Sequence, residues 1–254
     1  MKPTILVAVG GLLLAGATAA QAQLEGFTAN PTTNSADFEA RVTELGGSVD
    51  KSINFESHPL GTLQPDFYSG IGVTLTANGD VNTVVNGAGP GQTNTSDGPL
   101  SSGEGTHPAS NYLQDGNEVS SLTISFDTPT AGAGLFTIDY FNPSAYDNPL
   151  RIEAFDGPNG TGNSLGYFDS EHYNFQMNNM YFMGVIDPGA RIRSVVFYDL
   201  STNTGDSMGL DDIWFVSGVT PTPEKAVPSL GRYAQIGLVL LLLALASLAL
   251  RRRA

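Results

Sequence analysis

Three carboxylates flank short apolar runs that lie far apart in the chain. Glu56 follows Ile53 and Phe55, while Asp211 and Asp212 precede Ile213. Carboxylate oxygens are hard donors, and Ca2+ gathers about six to eight oxygens from carboxylates, carbonyls and water. If the two runs are the first and last strands of an antiparallel sandwich, they neighbour one another, and the carboxylates meet at a sheet edge. That predicts a structural, non-catalytic calcium site at Glu56, Asp211 and Asp212. The competing reading is that Glu56 and one aspartate accept backbone N–H bonds at strand ends. Residues 156–163 are also rich in oxygen, but they lack the following acidic ligand of an EF-hand loop and read as a hairpin turn.

The same search finds no catalytic constellation. His58, His107 and His172 are widely separated, and no His-x-His or His-Glu-x-x-His pair places two imidazoles on one metal. Glu171 and His172 are adjacent, and adjacent residues of a strand point to opposite faces. There is no Gly-x-Ser-x-Gly elbow and no phosphate-binding glycine loop. The absence of cysteine removes thiolate nucleophiles, disulfides and Cys-ligated zinc. Paired carboxylates for glycoside cleavage are available among 25 acidic residues, yet no spacing singles out a pair. The reading is therefore a non-enzyme, with a membrane-tethered periplasmic glycan hydrolase as the alternative. For binding, Tyr140, Phe141, Tyr146, Tyr167, Tyr173, Tyr181 and Trp214 lie on or near strands and loops, where flat rings stack on sugars. Core packing competes for each of them. Trp214 is the ligand-binding candidate, because it alternates with Ile213 and Phe215 and faces away from what they bury.

The elements that position these residues are mostly strands. A short helix is predicted over 36–45, with Phe38, Val42 and Leu45 on one face, Asn34 or Ser35 as cap, and Gly46-Gly47 as stop. Strands are predicted at 53–55, 73–75, 81–85, 122–126, 135–140, 150–155, 164–168, 181–185, 192–198 and 213–216. Turn signals separate them at Asn78-Gly79, Asp115-Gly116 and Asp156-Gly157. Residues 86–110, rich in Gly, Ser, Thr and Asn, read as locally disordered or as a functional surface loop. Many short strands without intervening helices predict an all-β antiparallel sandwich with one short N-terminal helix.

The ends carry a different pattern. Lys2, the apolar run 5–17 and Ala20-Gln21-Ala22 read as an export signal over 1–22, cleaved after Ala22. Residues 23–50 then hold the helix, 51–218 the sandwich, and 219–226 a Pro-rich spacer. Residues 234–250 are apolar and precede Arg251, Arg252 and Arg253, which predicts a transmembrane helix with its basic end in the cytoplasm. Between signal and tail, six basic residues face all 25 acidic ones, a charge of −19. That balance excludes nucleic acid, which needs clustered Lys and Arg.

Two resemblances follow from these motifs. Val227-Pro228-Ser229-Leu230-Gly231-Arg232-Tyr233-Ala234, its apolar helix and its basic end resemble the IPTL-CTERM sorting tail of bacterial exported proteins. Val227 stands for the usual Ile, Ser229 for Thr and Tyr233 for Trp, while Arg232 departs from the common acidic residue. This implies recognition by a membrane-embedded sorting protease or transpeptidase. The precursor is then anchored in the inner membrane, and the product sits at the cell surface or in an exopolysaccharide matrix. A plain membrane anchor is the alternative. The stretches Ile53-Asn54-Phe55-Glu56, Pro59-Leu60-Gly61-Thr62, Tyr68 to Thr74 and Gly209 to Phe215 resemble jelly-roll ectodomains of sorting-tail exoproteins. They are also similar to the ends of MAM-type and carbohydrate-binding jelly rolls. That resemblance implies a jelly roll, a structural calcium, and a surface that binds glycan, matrix or protein.

Overall fold

In the computed structural model, β1 (Glu25–Phe27) leads into helix α1 (Asn34–Glu44), then β2 (Ser48–Ile53) and β3 (Gly61–Thr62). A 3-10 turn at Ser69–Ile71 opens β4 (Val73–Asn78), followed by β5 (Thr83–Gly87), β6 (Ser110–Gln114) and β7 (Ser120–Thr130). The rest is strands: β8 (Gly132–Ile138), β9 (Leu150–Phe155), β10 (Ser164–Asp169), β11 (Met180–Ile186), β12 (Ile192–Asp199) and β13 (Gly209–Ser217). The structure describes residues 23–30, 32–79, 83–87, 104, 110–114, 120–138, 150–170, 180–200 and 208–219. The predicted signal over 1–22 and the tail over 227–254 lie outside the described residues. So do most of the spacer, most of 86–110, the Asp115-Gly116 turn, His107, His172, Tyr140, Phe141, Tyr146 and Tyr173. Among the described residues no helix is long and apolar enough to cross a membrane.

The strands form two antiparallel sheets. The larger runs β1-β11-β8-β13-β6-β5-β3, with β2 also paired to β13, and the smaller runs β10-β9-β12-β7-β4. Residues 23–50 belong to the larger sheet: β1 pairs with β11, and β2 with the end of β13. Period-two alternation builds the smaller sheet. Leu122, Ile124 and Phe126 point inward from β7, as do Ile152 and Ala154 from β9 and Val195 and Phe197 from β12. They meet Leu113, Leu135, Met183 and Leu210 of the larger sheet in the inter-sheet core.

The middle of the larger sheet is buried on both faces, so β8 and β11 read as nearly continuous apolar runs rather than alternating ones. Helix α1 covers the outer face through Phe38 and Val42, against Phe136, Phe182, Ile186, Trp214 and Val216. Phe182 lies 4.9 Å from Trp214 and 5.1 Å from Phe136, centroid to centroid, while Phe38 stands 5.2 Å from Phe182. Glycine makes this approach possible. A Cβ at Gly184 meets Phe182 at 2.7 Å and Phe38 at 2.9 Å.

Helix α1 ends in a Schellman motif: Gly46, at φ 74°, donates to Thr43 O and Gly47 to Val42 O, both at 3.0 Å. Its start has a distant cap. Neither predicted cap closes it; Asn34 lies inside the helix, where its amide donates to Phe182 O at 3.0 Å. The Glu104 carboxylate instead accepts the Ser35 N–H at 2.9 Å and the Ser35 hydroxyl. An anion there satisfies an orphan donor and the positive end of the helix dipole.

Two outcomes follow from this packing. Trp214→Ala empties the centre of the helix–sheet core and lowers unfolding free energy by about 3–5 kcal/mol, read from the urea midpoint. For Glu104, burial pushes the carboxyl above its ordinary 4.5, more than the Ser35 bonds pull it down. The folded chain thus holds this proton more tightly than the unfolded one. Its contribution is fully present below the ordinary value and is lost as pH rises through the raised one. Glu104→Gln abolishes that slope and keeps an acceptor for Ser35, while Glu104→Ala also costs about 1 kcal/mol. Urea midpoints measured across acidic pH check both; an unchanged slope in the Gln variant moves the pH dependence to another group.

Candidate functional site

The first candidate lies where β13 changes partner. Along one edge it pairs with β6 at Gly209 and Leu210, then with β2 from Ile213 onward. Leu210 and Ile213 both face the inter-sheet core, a spacing of three that simple alternation forbids, so an extra residue is accommodated between them. Asp212, at φ 45°, is in the left-handed region, and the register with β8 shifts between Asp211 and Trp214. Beyond β2 the chain bends at Phe55, at φ 57°. Asn111 of β6 ties this bend down, donating its N–H to Glu56 Oε1 at 2.7 Å and its amide to Phe55 O at 3.2 Å.

Glu56, Asp211 and Asp212 therefore come to one corner of the sandwich. Among the described residues, however, no three His, Asp or Glu side chains converge on one point. Glu56 accepts the Asn111 backbone N–H, and Asp211 Oδ1 accepts the Asp212 N–H at 2.7 Å. These are the strand-end bonds of the competing reading. Beside them the buried Tyr68 hydroxyl lacks a hydrogen-bond partner. Burial pushes it up to about 12; the Asp211 charge adds to this, and the nearby Phe55 N–H opposes it without closing a bond. The donor set is all oxygen, which suits a hard cation. The separated carboxylates do not form a cage, so a cation at this corner would need backbone carbonyls and water beside Glu56, Asp211 and Asp212. Asn111 carried no sequence signal, and Tyr68, which opens the stretch Tyr68 to Thr74, was given no role at this corner.

The structure corrects the reading of Trp214 as a ligand platform. It does face away from Ile213, but helix α1 covers that side, and Trp214 is only 6% exposed. Lys51 Nζ lies 3.8 Å from the centre of its ring and pairs with Glu39 of the helix. His58 is buried, with Nδ1 2.6 Å from Pro59 O and Nε2 accepting the Gln64 N–H at 3.1 Å. Both ring nitrogens are occupied, so it offers no free base. The 156–163 segment is the β9–β10 connection, and Asp156 spends its carboxylate on the Asn163 N–H and amide, at 2.7 and 2.9 Å. Those bonds hold its carboxyl below the ordinary range.

The outer face of the smaller sheet is the second candidate. Register aligns Asp169, Arg151, Tyr198, Ser121 and Asn78 in one row across all five strands. The next row holds Tyr167, Glu153, Val196, Thr123 and Thr76. In the third, Ser125 and Ser194 are covered by the 156–163 hairpin through bonds to Asn159, Gly160 and Gly157. The hairpin thus walls one side of an open polar face. Tyr167 is 52% exposed, and the Arg151 guanidinium lies 3.8 Å from its ring centre. Arg151 is itself held by Asp169, with bonds of 2.6 and 2.9 Å that raise its already high pKa. Burial, then the Glu153 charge, pushes the Tyr198 hydroxyl up against the opposing charge of Arg151. Sequence reading named Tyr167 but passed over Arg151, Glu153, Asp169 and Tyr198; the alternation of 150–155 was the signal for the first two.

No family model matches the chain, and no curated protein matches it. Among solved structures, it is similar to the K3 cleaved adhesin domain of Lys-gingipain from Porphyromonas gingivalis. Identity is 15% over 68% of this chain and 100% of that one, with a TM-score of 0.37. It is also similar to the C-terminal family 22 carbohydrate-binding module of Clostridium thermocellum Xyn10B. There identity is 12% over 65% and 96% of the two chains, and the TM-score is 0.32. At these scores the likeness carries no weight, and the two-sheet antiparallel sandwich with one short helix rests on strand order and register themselves.

Proposed function

We propose that this chain is an exported, non-enzymatic cell-surface or extracellular-matrix protein that binds glycan through the outer face of its smaller sheet. The observation that carries the reading is Tyr167, a half-open ring on a flat sheet face, fixed from one side by Arg151. Across the same face, two to four strands from that ring, Tyr198, Ser121, Thr123, Thr76 and Asn78 carry hydroxyl and amide groups at the spacing of a sheet, which match sugar hydroxyls. Delivery follows the pattern of the ends: the signal over 1–22 routes the chain out, and the helix over 234–250 holds it in the inner membrane. A membrane-embedded sorting protease or transpeptidase then acts near Val227 to Tyr233. Calcium at the Glu56, Asp211 and Asp212 corner fastens the bend after β2 to β13 and serves stability only.

Three measurements test these parts. On a glycan array the protein retains at least one polysaccharide, Tyr167→Ala weakens retention about tenfold, and no new reducing ends appear. New reducing ends that depend on a single carboxylate make the protein the tethered hydrolase instead, and retention of proteins but no glycan assigns the face to a protein partner. Intact mass of the native product is expected to begin near Gln23 and end near Val227; retention of Arg251, Arg252 and Arg253 in the membrane fraction makes the tail a plain anchor. Chelation is expected to lower the melting temperature, and Glu56→Ala or Asp211→Ala to abolish that sensitivity. A melt indifferent to EDTA retires the calcium.

A further inference from the structure

The structure assigns the outer face of the smaller sheet to uncharged polysaccharide and against polyanionic chains, an inference that rests on the glycan-binding reading above. Anionic polymers are held by free cations, and four of the five basic side chains among the described residues are paired with carboxylates. Arg41 bonds Glu25 and Glu44, Lys51 pairs with Glu39, Arg151 with Asp169, and Arg191 with Asp187. Arg193, the fifth and last basic side chain among the described residues, donates to the Phe126 carbonyl at 3.3 Å. On the face itself the Arg151 charge is matched by Asp169, and Glu153, bonded to Ser164 at 2.6 Å, leaves the surface negative. A wider field points the same way: between signal and tail the charge is −19, which repels a polyanion over a Debye length at low salt. Cationic sugars fare no better beside Tyr167, because the Arg151 guanidinium already lies on that ring. An uncharged chain escapes both penalties and uses what the face offers: the open part of the Tyr167 ring, the Tyr198 hydroxyl, and the Ser121, Thr123 and Thr76 hydroxyls.

The test uses the full chain in detergent micelles at low ionic strength. It is passed over beads carrying neutral galactan or glucan and over beads carrying polygalacturonate or alginate. Retention on a neutral polymer, and about tenfold less on either uronate, is the expected result. Asp169→Asn releases Arg151 and raises retention on the uronates; Tyr167→Ala weakens neutral retention about tenfold while Tyr167→Phe preserves it. Uronate retention equal to neutral retention, in calcium or in chelator, overturns this inference and leaves the glycan reading standing. Retention on none of the four polymers overturns the glycan reading, and this inference with it.

Discussion

Everything in this molecule depends on strand β13 burying side chains on both of its faces. Leu210, Ile213 and Phe215 pack toward the inter-sheet core, while Trp214 and Val216 pack toward helix α1. Strict alternation cannot place both Leu210 and Ile213 inward. One residue in the left-handed conformation, Asp212, resets the phase. The same irregularity marks the place where β13 exchanges β6 for β2 as its neighbour. A single local distortion thus aligns two cores and three strand pairings.

The two-faced burial divides the molecule unequally. Every aromatic ring of the outer core (Phe38, Phe136, Phe182 and Trp214) is closed off beneath helix α1. The helix is secured at one end by Glu104 and at the other by its Gly46-Gly47 stop. The smaller sheet stays uncovered by the helix, and its outer face carries hydroxyls, Tyr167, and an arginine already neutralised by Asp169. A face of this composition suits the proposed binding by shape and directional hydrogen bonds rather than by charge.

Basic side chains are few, and the described ones are spent on internal fastening. Arg41 joins helix α1 to β1 through Glu25, Lys51 joins β2 to the helix through Glu39, and Arg191 closes a tight loop on the fully buried Asp187. The excess of carboxylates over basic residues gives the chain a net negative charge that repels other polyanions.

By itself the sequence determined the elements. Period-two alternation marked β7, β9 and β12, and the spacing of Phe38, Val42 and Leu45 with Gly46-Gly47 marked the helix, because these signals are local. β1, β3 and β6 escaped it, being three, two and five residues long and held by partners far away in the chain. The strand expected over 53–55 lies instead at Ser48–Ile53, with the chain bending at Phe55. The neighbourhood of Glu56 and Asp211 was expected from first and last strands, whereas the first strand, β1, pairs with β11 and it is the second, β2, that lies beside β13. The parts of Asn111 and Tyr68 in that corner were not legible. For Trp214 the local pattern gave the correct face. Only tertiary structure decided whether that face was open, since alternation reports which residues share a side and never what comes to lie against it.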